Sequence, residues 1–365
     1  MSDLKMKIIG VVGTAKNTGK TTTLSALMEE GIKRGFKVGL TSIGYDGEEI
    51  DNVTLLPKPR LNVVKGSIVA TSEQCLKTAQ AKVRIIEQTN LSISLGDVFI
   101  AEITEPGLIV LAGPNKRSPL EDVLQKLKEK VDFILIDGAM NRIVPLMSAE
   151  GLVFATGAAR TTNLKKLAEE MYAIYEIFSY PSINRETSKT NQIKKKYISE
   201  NVVIISRNNI KKELSISSIL DKSDAKSLIS ELSKEAEIII IPGIVAQKPL
   251  EMIAKHLITL KRKFEIIFSN PTSLLVAGEP LAIKKNLNIL SKHKVSISYI
   301  WNLPILGVTI NPFYPKLTNR RGNFQPAYVD VDKMSNIFKD LLPIPIINIH
   351  NEGADKLFDF CFEKG

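Results

Sequence analysis

Apolar residues along this chain come mostly in short unbroken runs, with stretches between them in which they recur at three- and four-residue spacing. Ile8, Ile9, Val11 and Val12 form the first run, β-branched and without polar alternation, the pattern of a strand covered on both faces of a parallel sheet. Beyond Gly19, Leu24, Leu27 and Met28 keep helical spacing until Gly35 closes the element. FKVGLTS predicts a second strand over 36–42. Ser118 is expected to cap a helix with Pro119 in its first position, followed by the run Phe133 to Ile136. GLVFATG predicts a strand over 151–157 and a helix follows over 161–178. After a polar tract, strand patterns return at 201–205, 237–241, 265–269, 296–300, 305–310 and 344–349, mostly separated by helical stretches. Such alternation predicts an α/β fold with a mostly parallel sheet.

Residues 55–114 break this rhythm. Short strand patterns flank Lys65-Gly66 and Glu105-Pro106-Gly107, which reads as two hairpins, with a helix passing into a strand between them. This is a β-rich insertion after the second strand, or an extension of the sheet. Lys58 and Arg60 lie on its proline-flanked loop, able to reach phosphates or a partner, or to remain solvated. The organisation expected is a nucleotide-binding domain over 1–180 and a C-terminal α/β half over 201–365, either a separate domain or more of the same sheet.

Between the first strand and the first helix lies TAKNTGKT, Thr14 to Thr21. Gly19 allows close backbone approach to an anion, the helix N-terminus presents free N–H groups, and Lys20 adds a full charge. Thr21 would offer its hydroxyl to Mg²⁺. The run departs from the G-x-x-x-x-G-K-[ST] phosphate loop (P-loop) at one position: Thr14 stands where the first glycine belongs, and Gly13 is one residue early. Its nucleotide-binding candidates are Gly13, Thr14, Ala15, Lys16, Asn17, Thr18, Gly19, Lys20, Thr21 and Thr22. Asp137 ends the apolar run Phe133 to Ile136, in the form of a buried strand delivering one carboxylate to a metal at the sheet's carboxyl edge. Asp46, between two glycines after the second strand, is a candidate to face the metal or the attacking water, an acidic turn being the alternative; Glu48 is a weaker one. Arg142 lies near enough in sequence to help with phosphates. Asn311, at a strand end, is a candidate base-reading asparagine, with a turn-forming Asn-Pro as the alternative. The fold class predicted is a P-loop NTPase using ATP and Mg²⁺, with Lys20, Asp46 and Asp137 in catalytic roles and Thr21, Asp46 and Asp137 at the metal.

Composition adds limits. The net charge of +10 is unevenly placed: 22 basic against 21 acidic residues in 1–180, but 27 against 18 in 181–365. A basic half suits a nucleic acid or acidic partner, yet its lysines cluster without interleaved aromatics, the pattern of a solvated surface. Cys75 and Cys361 are far apart, and His256, His293 and His350 are scattered, which disfavours disulfides and zinc. No apolar run approaches membrane-spanning length and no signal-peptide pattern opens the chain, so a cytoplasmic protein without membrane partners is expected.

Taken in order, GTAKNTGKTTT, GYDGEEIDN with LPKPRL, KGSIVAT, FILIDGAMNR, the ATGAA loop, IPGIV and LGVTINPFYP resemble the reactivase subunit of adenosylcobalamin-dependent lysine 5,6-aminomutase. The resemblance implies an ATPase that restores a B12 enzyme after cofactor damage, with the aminomutase and a second, larger ATPase subunit as partners. It carries nucleotide and metal roles to Gly19, Lys20 and Thr21, and a metal role to Asp137. No D-x-H-x-x-G cobalamin signature occurs, so the chain is not expected to hold the cofactor itself. Lys16 sits one residue from the second lysine of deviant loops in dimeric ATPases and takes no role from them; a homodimer stays open. Two other functions share this sequence pattern: an ATP-dependent carboxylate-activating enzyme resembling dethiobiotin synthetase, and a nucleic-acid-associated ATPase, which the lysine pattern disfavours.

Overall fold

The first apolar run folds as the strand β1 (Ile8–Gly13), in which Ile8 through Val12 are all buried. A computed structural model describes residues 4, 7–44, 61–139, 148–183, 199–208, 210–317 and 324–362. The chain divides into two compact units, Met1–Ala168 with Leu303–Gly365, and Glu169–Asn302.

In the first unit β1 is followed by helix α1 (Lys20–Lys33), then β2 (Val38–Ser42), β3 (Leu61–Val63), β4 (Ile68–Ser72), β5 (Lys82–Ile93), β6 (Gly96–Glu105), β7 (Gly107–Ile109), β8 (Phe133–Ala139) and β9 (Gly151–Gly157). The second unit holds β10 (Val203–Ser206), β11 (Lys211–Glu213), β12 (Ala236–Ile241), β13 (Phe264–Phe268) and β14 (Val295–Tyr299), after which β15 (Ile305–Asn311), β16 (Phe313–Leu317), β17 (Phe324–Tyr328) and β18 (Ile346–Ile347) return to the first.

The main sheet has nine strands in the order β18, β15, β9, β1, β8, β2, β4, β6, β5. From β18 to β4 every neighbouring pair is parallel, while β6 and β5 are added antiparallel. Central parallel strands need cover on both faces, which is why their sequences lack alternation. Ile9, Val11, Leu40, Phe133, Leu135 and Val153 share one core with Leu24, Leu27 and Met28 of α1. The alternate residues Ile8, Val12, Ile134, Ile136, Leu152 and Phe154 are equally buried.

The C-terminal helix Asp355–Phe362 contributes Leu357, Phe358, Cys361 and Phe362 to the α1 core. Phe133 meets the ring of Phe362 at 4.2 Å and that of Phe358 at 5.6 Å. Gly31 of α1 makes room for this, since a Cβ there would lie 2.6 Å from the Phe133 ring. At the surface of the contact the Arg34 guanidinium lies over Phe358, donates to Glu30 Oε1 at 2.7 Å and pairs with Asp359.

Several sequence expectations are corrected by the pairing. The patterns around Lys65-Gly66 and Glu105-Pro106-Gly107 are not hairpins: β3 pairs with β7, and β4 lies between β2 and β6. The hairpin is β5–β6, turned at Gly96 with φ +93°, a conformation glycine adopts without steric cost. Ser118 does not cap its helix, which spans Arg117–Lys128 with Lys116 as N-cap and no side-chain cap bond. Past Asn311, Phe313–Leu317 forms β16, antiparallel to β17. Of the two expectations for 201–365, each holds for a part: β15 and β18 extend the main sheet, while the second compact unit runs over 169–302 and not from 201.

That second unit is built on its own sheet, in the order β11, β10, β12, β13, β14, with β12, β13 and β14 parallel. Its core gathers Val203, Ile205, Ile240, Ile267 and Ile300. Among the described residues no helix is long and apolar enough to cross a membrane.

Phe362→Ala should cost about 3–5 kcal/mol, read as a lowered urea midpoint for the first unit. The hydrogen bond from Arg34 holds the Glu30 carboxyl below its ordinary value of 4.5. A lowered native value means that the stabilisation is complete above the ordinary value and disappears as pH falls through the lowered one. Unfolding of Glu30→Gln should therefore show less acid sensitivity below about pH 4.5 than wild type.

Candidate functional site

Parallel strands that share a sheet end on the same edge, and here that edge gathers the sequence-predicted residues. β1 pairs Val12 with Gly138 and Gly13 with Ala139 on one side, and Gly13 with Ala155 on the other. Asn311 lies opposite Gly157 one strand further. The loop 14–19 therefore opens between the carboxyl ends of β8 and β9, where β1 continues through α1 to β2 on one side while β9 is succeeded in the sheet by β15 on the other, the kind of crevice in which open α/β sheets bind ligands.

The loop ends in Gly19, which is the N-cap of α1 in a left-handed conformation, φ +91°, with no side-chain cap bond. Gly19 thus offers the first amides of α1 no side-chain acceptor, at a helix terminus that favours anions. Asn17 is also left-handed, φ +60°, a conformation Asn tolerates better than most residues. Thr18 is buried and its hydroxyl donates to the Ala15 carbonyl at 2.9 Å.

Thr14, the departure from the glycine pattern, is 7% exposed. Its N–H donates to Ala155 O at 3.0 Å and its hydroxyl to Thr156 Oγ1 at 2.9 Å. The side chain therefore welds the opening turn to β9, a tie that a glycine could not make. One turn into α1, the Thr23 hydroxyl meets Gly19 O at 3.0 Å and Thr309 Oγ1 of β15 at 2.7 Å.

Charge sits on the β8 side. Lys20 Nζ lies 2.8 Å from Asp137 Oδ1, both side chains about a quarter exposed. Oδ1 itself is buried and makes no aligned hydrogen bond among the described residues, so the contact is a short ion pair with unsatisfied acceptor capacity. Beside Asp137, Ser42 of β2 is its register partner and Ile43 N donates to its carbonyl at 3.0 Å. No protein-family model matches this chain, and no curated protein matches it either.

Of the sequence-predicted residues, the structure brings Gly13 through Thr22, Asp137 and Asn311 to one edge. Asp46, Glu48, Lys58, Arg60 and Arg142 lie outside the described residues. Among the described residues no group of three or more His, Cys, Asp or Glu could hold a metal ion; of the three metal candidates, Thr21 and Asp137 stand at this edge and Asp46 is outside the described residues. Asn311 turns its amide inward: Nδ2 donates to Asn17 O at 3.1 Å, and Oδ1 accepts from Phe313 N at 3.1 Å. Asn311 also lines a small, open crevice with Thr18, Gly19, Thr22, Ile310, Ile349 and His350.

Sequence reasoning missed Arg160, whose Nη1 donates to the Thr14 carbonyl at 2.9 Å. The only signal for it was a basic residue just past Gly157, in a loop already expected at this edge. Thr156 and Thr309 were missed because a buried threonine in a strand looks like any β-branched residue.

Thr14→Val keeps the shape but removes the bond to Thr156, leaving that hydroxyl unpaired in a buried site. Stability should fall by about 1–3 kcal/mol, measured by denaturant unfolding, and Thr14→Ser should retain most of it.

Proposed function

We propose that this protein binds Mg-ATP at the 13–22 loop, in a P-loop NTPase fold, and hydrolyses it slowly on its own. The observation that carries this reading is the Lys20–Asp137 pair beside an uncapped helix N-terminus. The residues fit a magnesium-nucleotide: Asp137 Oδ1 is buried with unmet acceptor capacity among the described residues, and Gly19 leaves the start of α1 without a side chain.

In this reading the first-turn amides of α1 and the Lys20 ammonium take the phosphate oxygens, while Asp137 and the Thr21 hydroxyl hold the cation. Magnesium, when bound, neutralises charge that develops on the phosphate oxygens. The ion pair gives this exchange its logic. Removing one partner would strand the other, partly buried and uncompensated. Binding anion and cation together gives each a new partner, so the pair separates without leaving a charge unmet. The site then accepts the phosphate-metal unit better than either part alone.

The role proposed for this turnover is reactivation of an adenosylcobalamin-dependent aminomutase, together with a second ATPase subunit, in the cytoplasm. That role rests on the resemblance of the residue runs alone. It requires different client affinities in the ATP- and ADP-bound states, because a nucleotide that binds both client states equally shifts nothing. Three basic residues of the second unit are engaged within it: Arg207 pairs with Glu237 at 2.7 Å, Lys212 with Glu231, and Arg262 donates to the carbonyls of Ser233, Lys234 and Ala236.

Titration calorimetry should show ATP binding that strengthens with Mg²⁺, weakened about 10- to 100-fold by Lys20→Ala, as expected for loss of a charge-assisted bond of ~1.5–3 kcal/mol. Equal binding by wild type and Lys20→Ala would remove the phosphate site. Hydrolysis stimulated by an aminomutase supports the reactivation role, whereas stimulation by a small carboxylic acid would replace it with carboxylate activation.

A further inference from the structure

We infer that Arg160 and Asn311 are positioning residues that set the direction of the loop's amide groups toward a bound phosphate. The inference rests on the phosphate-site reading above and assigns two side chains, neither on the loop, the task of keeping it in its receiving form.

A trans peptide unit is planar, and its carbonyl and N–H point in opposite directions. A donor that captures a carbonyl from one side therefore turns the next residue's amide to the other. Three carbonyls of the loop are captured this way. Arg160 Nη1 takes Thr14 O at 2.9 Å, the Thr18 hydroxyl takes Ala15 O at 2.9 Å, and Asn311 Nδ2 takes Asn17 O at 3.1 Å. The first capture sets the Ala15 amide and the last sets the Thr18 amide. A carbonyl facing the site would instead repel an anion.

Both outside donors come from strands on one side of β1. Arg160 follows β9, and Asn311 ends β15, the next strand out. Lys20 and Asp137 occupy the other side, toward β8. The loop is thus held from the β9–β15 flank and presents its charges at the β8 flank. Asn311 does more than donate: its Cβ lies where a Cβ on Gly19 would come within 3.2 Å, so it also packs against the bend that starts α1. The two left-handed residues, Asn17 and Gly19, are the ones such contacts must hold, because a loop released from them would relax to commoner backbone conformations.

The test uses the full chain and two probes, Mg-ATP and Mg-tripolyphosphate, which has phosphates but no base. Arg160→Ala and Asn311→Ala should each weaken both probes about tenfold, ~1.4 kcal/mol per variant, with the thermal midpoint close to wild type. Arg160→Lys keeps the charge without the planar fork and should fall between. Millimolar guanidinium should restore part of the binding of Arg160→Ala, and nothing to Asn311→Ala. Wild-type affinity in both alanine variants overturns the inference, as does a loss that tracks a fallen thermal midpoint without guanidinium rescue. Loss of ATP but not tripolyphosphate binding in Asn311→Ala would make that residue a base contact instead. If wild type binds neither probe, the phosphate site itself fails, an outcome separate from these.

Discussion

The parallel pairing of β1 with β8 on one side and β9 on the other is the constraint on which the rest of this protein depends. A strand flanked by parallel neighbours ends on the same edge as they do, and its backbone groups are satisfied until it leaves the sheet. Whatever follows β1 must therefore emerge between the ends of β8 and β9. Apolar burial on both faces makes that position hard to shift: a one-residue slip would exchange Ile9 and Val11 for Ile8 and Gly10 in the core that α1 covers.

From this placement follow two kinds of contact with different physical tasks. On the β8 side a short ion pair stores charge of both signs at one place. On the β9 and β15 side, the hydroxyl and amide groups of Thr156, Thr309 and Asn311, with the Arg160 guanidinium, tie the loop and α1 to the sheet. The separation matters because a mobile loop would have to be ordered at the expense of binding energy, whereas a tied one meets its ligand already shaped. Thr14 belongs to the second kind, and its place in the bonding to β9 accounts for a threonine where glycine is the usual residue.

Polar groups at the strand ends of the second unit are used differently. Asn270, after β13, accepts from the backbone of Thr272 and Ser273 at 3.0 and 3.2 Å, and Ser218 accepts from Ile244 N at 3.1 Å. The helices Leu164–Phe178 and Pro280–Lys292 are linked through Lys284, which pairs with Glu176 and lies 4.1 Å from the Tyr172 ring centre.

Local chemistry made some of this legible without coordinates. The unbroken β-branched run, the Gly19-Lys20-Thr21 run ahead of a helical pattern and the acid at the end of an apolar strand are properties of adjacent residues, and they sufficed to place β1, the loop, α1 and Asp137. What they could not contain was pairing. The strands around Lys65 and Pro106 were visible as strands, but which partner each takes depends on competition among all edges of the sheet, and β4 goes to β2 and β6 while β3 goes to β7. In the same way, the return of β15 to the main sheet brings Asn311 to a loop 294 residues earlier in the chain, and β9 brings Arg160 to a carbonyl 146 residues away. The sequence by itself determined the elements and the charged centre, because backbone preference and burial act over a few residues. Only the tertiary structure decided which distant side chains hold the loop, because that follows from strand order, which no short stretch of chain encodes.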